Sequence, residues 1–199
     1  MIKNVVLCGL IYDDNLGDQA IFECTKSLLV EIGDFNFEFI DLYGRTQKEN
    51  TEKYGFYRRF LGKLIPRYDE HRIIKRLKKE IKSKINTRSD ALIFCGGGLI
   101  KYNHQFIALP VKKIIDKCEL LNIPVMFSAV GVEGYDSSAE CQSLKWYINR
   151  ACVKCITTRD DIKTLTEKYI INNKISCAMV ADPAIHISEI FPGGGKNSK

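Results

Sequence analysis

Three stretches of this chain are apolar almost without interruption, and each runs straight into glycine or small residues: IKNVVLCG at 2–9, DALIFC at 90–95 and IPVMFSA at 123–129. A strand with one wet face alternates apolar and polar residues. An unbroken apolar run of strand length belongs to a strand covered on both faces, which is the condition of a parallel sheet. FNFEFID at 35–41 and weaker runs at 153–158 and 175–180 complete a set of strands, and helical periodicity occupies 17–31, 105–121, 137–152 and 160–169 between them. This alternation predicts an α/β fold: a doubly wound, mostly parallel, Rossmann-like sheet.

At 199 residues the chain has room for one such domain with a full core, predicted over 1–191. The remaining residues, PGGGKNSK at 192–199, have no apolar periodicity and are expected to be a flexible tail or truncation point. The eight cysteines lie mostly inside apolar strand or helix patterns, without the short regular spacing of a disulfide scaffold, and are read as reduced packing residues of a cytosolic protein. Cys152 and Cys155 form one CxxC with no second pair to complete a zinc site. The apolar N-terminal run is too short to span a bilayer.

Charge is concentrated in one place. Between Arg45 and Arg88 there are 15 Lys and Arg against 5 Asp and Glu, a local net of +10; with +6 for the chain, everything else carries −4. This basic insert, about 45–88, contains a predicted helix from about Asp69 to Asn86. Asp69 is a candidate cap, and Ile73, Ile74, Leu77, Ile81 and Ile85 form an apolar stripe among Arg and Lys. A solvated helix face is the plain reading; a docking surface for an anionic membrane or a charged polymer is the functional one, and no recognisable module points to nucleic acid.

In a parallel sheet each strand delivers its following loop to the carboxyl edge, where ligands bind. Five loops here carry small or charged residues after a strand: Asp13-Asp14-Asn15-Leu16-Gly17-Asp18, Gly96-Gly97-Gly98-Leu99-Ile100, Val130-Gly131-Val132-Glu133-Gly134, Thr157-Thr158-Arg159-Asp160-Asp161 and Ala181-Asp182-Pro183-Ala184. Adjacent glycines allow a ligand to approach backbone N–H groups. Arg159 is the best anion ligand, because a guanidinium grips a carboxylate or phosphate with two prongs. Each residue also has a structural reading: Gly96 to Gly98 as relief of crowding in a tight turn, Asn15 and Asp18 as helix caps, Asp182 as a cap or the closure of a turn before Pro183, Arg159 as the partner of Asp160 or of a helix end. Five such loops on one edge favour a site.

Neither G-x-G-x-x-G nor G-x-x-x-x-G-K-[ST] occurs, which disfavours nicotinamide and ATP-hydrolysing enzymes. His71, His104 and His186 form no nucleophile triad with a serine or cysteine. The pattern calls for no cofactor and no metal.

Taken in order, Asn15-x-Gly17-Asp18, the D-x-L-I-x-x-G-G-G-L run from Asp90 to Leu99, Ser128-Ala129-Val130-Gly131-Val132, Thr157-x-Arg159-Asp160 and Ala181-Asp182-Pro183-Ala184 resemble the polysaccharide pyruvyl transferase family from Val5 to about Ile187. The resemblance implies the N-terminal half of a fold like that of B-type glycosyltransferases, and transfer of pyruvate from phosphoenolpyruvate to two sugar hydroxyls as a ketal. It implies Asp18, Arg159 and Asp182 as catalytic, with Arg159 gripping the donor and the two carboxylates orienting hydroxyls or acting as base. Asn15, Gly17, Gly96, Gly97, Gly98, Gly131 and Glu133 become substrate-binding. It further implies a saccharide acceptor, a second domain beyond Lys199 and a cytoplasmic location; the charge of the 69–86 helix, apart from the resemblance, adds a peripheral place at the inner membrane face. The competing readings are a non-catalytic glycan- or partner-binding module and a nucleotide-sugar glycosyltransferase.

Overall fold

The computed structural model describes residues 2–12, 15–45, 68–101 and 105–191, with the backbone alone at 68–72 and 105–106. Asp13, Asp14, His104, most of the basic insert (46–67) and the 192–199 tail lie outside the described residues, as do the side chains of Asp69 and His71.

Six strands form one wholly parallel sheet: β1 (Lys3–Gly9), β2 (Phe35–Asp41), β3 (Ala91–Cys95), β5 (Val125–Val130), β7 (Val153–Thr158) and β8 (Ser176–Met179), in the spatial order β2-β1-β3-β5-β7-β8. Two further strands of two residues each, β4 (Ile100–Lys101) and β6 (Val132–Glu133), pair in parallel as a separate ribbon. The chain moves from β1 outward to β2 and then back across β1 to β3, so the winding reverses between β1 and β3. The loops after those two strands therefore flank the switch point, where open α/β sheets bind ligands.

Alternate residues of the strands feed two cores. Val6, Cys8, Leu92, Phe94, Val125, Phe127, Val153 and Ile156 face the helices α2 (Tyr68–Lys84), α3 (Gln105–Leu120) and α4 (Ala139–Ile148), with Phe94 and Phe127 stacked at 4.6 Å between centroids. The opposite face presents Val5, Leu7, Ile93 and Cys95 to α1 (Leu16–Ile32), through Phe22 and the half-buried Leu29. Here the sheet departs from the expectation of cover on both faces. Along the register Ile93, Met126, Cys155, Ser176, burial falls away after Ile93; Met126 is 38% exposed and Ser176 is exposed. The reason is topological: among the described residues α1 and the chain's last turns cover this face at one end, while α2, α3 and α4 pack on the other.

The helices are close to their sequence patterns, with two differences. The 137–152 pattern yields only Ala139–Ile148, because Ser138 caps its start by accepting from the Cys141 N–H, 3.2 Å, and the chain turns at Asn149 to enter β7. The 160–169 pattern becomes one α-helical turn, α5 (Ile162–Thr164), capped by Asp161 and running into a π-helical turn at Leu165–Tyr169. The wider turn accompanies a buried tyrosine: the Tyr169 hydroxyl donates to the Gly134 carbonyl at 2.9 Å. A 3-10 turn at Pro183–His186 leads into α6 (Ile187–Ile190), and both pack against α1.

Candidate functional site

The first edge loop is built around the start of α1. Asn15 is in extended conformation and caps the helix, its Oδ1 accepting from the Gly17 N–H at 3.0 Å and its Nδ2 donating to Asp18 Oδ2 at 2.9 Å. Asp18, buried to 9% exposure, meets the triple glycine of the next loop. Gly97 has φ +64°, and a Cβ there would lie 3.1 Å from Asp18 Oδ1. The Asn15–Asp18 turn and the Gly96–Gly98 loop thus form one surface, and Gly97 is glycine for both backbone and space.

A second junction joins the triple glycine to the loop after β5. The Gly131 N–H donates to the Gly97 carbonyl at 2.8 Å and the Ile100 N–H to the Gly131 carbonyl at 3.2 Å. A Cβ on Gly131 would meet Gly98 Cα at 3.2 Å, so the two loops pass backbone to backbone. Above them, Glu133 from β6 pairs with Lys101 from β4 at 2.5 Å.

Arg159 and Asp182, after β7 and β8, form a third group. Arg159 Nη1 donates to Asp182 Oδ2 at 2.9 Å, both side chains being partly exposed, while Asp182 Oδ1 accepts from the Ala184 N–H and starts the 3-10 turn. Arg159 therefore pairs with Asp182 rather than with Asp160, the partner weighed in the sequence. The pair reaches the glycine loops through its backbone, the Arg159 N–H donating to the Val130 carbonyl at 3.3 Å.

Four positions have roles that the sequence reading did not assign. Asp160 Oδ1 gathers the N–H groups of Val132 and Asp161 and the hydroxyl of the buried Thr158, at 2.9, 2.6 and 2.8 Å, and so ties the β7 turn to the glycine-131 loop. Ala129 has φ +51°, a strained conformation for a residue with a Cβ, held by its N–H bond to Thr157 Oγ1 at 2.8 Å. Lys101 places a cation beside the triple glycine. Asp41, at the end of β2, accepts from the N–H groups of Tyr12, Tyr43 and Arg45 and anchors the near side of the first loop. Burial pushes its carboxyl above the ordinary range, against the pull of those three donors. Lys101 had a local signal, a basic residue just after the triple glycine, and Ala129 and Asp160 lie in motifs of the family resemblance; their roles depend on contacts between loops distant in the chain.

Among the described residues no three His, Cys, Asp or Glu side chains gather as a metal-binding group. Among the described residues the arrangement offers backbone N–H groups, carboxylates and the cations Lys101 and Arg159 at one edge, with Arg45 bonded to the Tyr12 carbonyl beside the first loop, the equipment for holding a polyhydroxylated or anionic ligand. His186 pairs with Glu189 at 3.0 Å instead. No helix of the described residues is long and apolar enough to cross a membrane.

No curated protein matches the chain. The family model for polysaccharide pyruvyl transferase matches residues 15–198, from the cap of α1 through the Asp182 turn and beyond. A match over nearly the whole length, taking in the loops that meet at the carboxyl edge, places the chain in the polysaccharide pyruvyl transferase family.

Proposed function

We propose that this chain contributes one wall of an active site that transfers a pyruvyl group from phosphoenolpyruvate to two hydroxyls of a saccharide. The observation that supports it best is the junction of Asp18, Gly97, Gly98 and Gly131 at the switch point, in a chain of this family. In the reaction one hydroxyl oxygen gives up its proton and adds to C2 of the donor as C3 gains a proton to become methyl. The C2–O bond to phosphate then breaks, the second hydroxyl oxygen bonds to C2, and its proton leaves with phosphate.

Arg159 would hold the donor's carboxylate or phosphate, drawing away from Asp182, which is then free to accept a hydroxyl proton. Asp18 would orient the acceptor, with Asn15 and the N–H group of Gly17 beside it. Gly96, Gly97, Gly98 and Gly131 would let the ligand rest on the backbone, with Glu133 and Lys101 at the rim. Such a role requires preorganised donors where phosphate charge develops. The proposal includes a second α/β half facing this edge, in the manner of B-type glycosyltransferases, and action on a cell-surface polysaccharide at the cytoplasmic face of the membrane.

The test is phosphate release and ketal formation from phosphoenolpyruvate with a panel of sugars, run on this chain and on the complete gene product. Ketal formed in step with phosphate supports the reading. Glycosyl transfer from a nucleotide sugar, or saccharide binding with no turnover by the complete product, would replace it.

A further inference from the structure

We propose that a groove at the opposite, amino edge of the sheet is a second saccharide-binding site, able to hold a neutral glycan chain independently of the candidate active site. The groove, of about 370 Å³, lies where α3 ends and where the turns before β7 and β8 begin. Its wall carries Trp146, the chain's single tryptophan, 59% exposed. Among the described aromatic residues only Trp146 and Phe191 are exposed, and Trp146 is the one that borders a groove.

The other walls suit a sugar. Arg150 lies 5.8 Å from the Trp146 ring centroid and pairs with Glu119. Among the residues lining the groove the Arg150 and Glu119 charges cancel, and Lys154 at its margin is held on the Ala151 carbonyl at 2.7 Å. The groove offers a flat apolar ring beside hydrogen-bonding groups, the complement of a sugar ring with C–H faces and hydroxyl edges. It is also preformed: Asn149 Oδ1 accepts from the N–H groups of Ile171 and Asn172 at 2.8 and 2.9 Å, while its Nδ2 donates to the Tyr169 and Lys145 carbonyls. That fixes the far wall, so little ordering opposes binding. Strands of this length separate the two edges by about 20 Å, so both sites can be filled together.

The choice of a saccharide rests on family membership, but the test does not use turnover. Neutral gluco-, galacto- and manno-oligosaccharides are titrated against the intrinsic fluorescence of Trp146, and polymer retention is measured by affinity electrophoresis. A saturable emission change is expected for at least one sugar series. Trp146→Ala should weaken retention about tenfold or more, and Trp146→Phe should restore part of it. Circular dichroism checks that both variants fold. Absence of any saturable change, undiminished retention by a folded Trp146→Ala variant, or occupation of the groove by a protein partner instead would overturn the proposal. An inactive enzyme that still binds sugar at Trp146 would sink only the catalytic reading.

Discussion

Arg159 and Asp182 neutralise each other in the absence of a ligand, and this shapes what each can contribute. As a half-exposed pair they add about 1 kcal/mol or less to stability, so loss of Arg159 should leave the fold intact. In the proposed reaction the same guanidinium faces a donor whose charge grows as phosphate leaves. Turnover by the complete gene product should fall on the order of a hundredfold on Arg159→Ala and less on Arg159→Lys, which keeps charge but not the fork. Steady-state phosphate release checks this, and an unchanged rate would remove Arg159 from the donor site. Two other carboxylates should titrate on opposite sides of the ordinary value of 3.8: Asp41 above it because of burial, Asp161 below it because the Thr164 N–H bonds its charged form. The linkage signs follow. Asp41 binds its proton more tightly when folded, so its contribution to stability declines as pH rises from the ordinary value through its folded one; Asp161's contribution is lost as pH falls below the ordinary value. Carboxyl shifts followed by NMR over an acid titration give both directions.

At the scale of elements, α2 and the glycine loops illustrate two uses of one sheet. Leu77, Ile81 and Ile85 bury the apolar stripe of α2 against the core, and Ile73 and Ile74 are half-buried. Lys75, Lys78, Lys79 and Lys82 remain exposed, while Lys84 turns inward to Glu80 and to the Phe39 carbonyl. Four cations on one solvent-facing helix can hold an anionic bilayer by long-range attraction without inserting. Cosedimentation with acidic vesicles should therefore be measurable at low salt and fall steeply as salt rises, and neutralising Lys75, Lys78, Lys79 and Lys82 together should abolish it. Salt-independent binding, or none, would leave α2 as a solvated face. The carboxyl-edge loops rely instead on close approach: Gly9 shows how tight it is, since a Cβ there would sit 2.6 Å from the Cys95 carbonyl oxygen where β1 and β3 open into their loops.

At the scale of the molecule, the described residues of the site form a single edge rather than an enclosed cage. A trianionic donor needs cations or N–H groups on more than one side. Arg159 and Lys101 stand on the same edge, each already paired with a carboxylate. This chain alone should therefore release phosphate from phosphoenolpyruvate only weakly, and the complete gene product much faster if it supplies a facing half. Equal rates for the two would show that this edge suffices.

The chain's local pattern determined much of this: unbroken apolar runs specify buried parallel strands, and a parallel sheet necessarily delivers its loops to one edge. The order of small polar motifs on those loops carries the resemblance to the family by itself. The tertiary structure alone decided which loops touch. The approach of Asp18 to Gly97, the Asp160 clamp on the loop at Val132, the choice of Asp182 as the partner of Arg159 and the exposure of Met126 all follow from the order β2-β1-β3-β5-β7-β8. Periodicity records whether a residue is buried, but pairing depends on which strands become neighbours, and that is set by the packing of the whole chain.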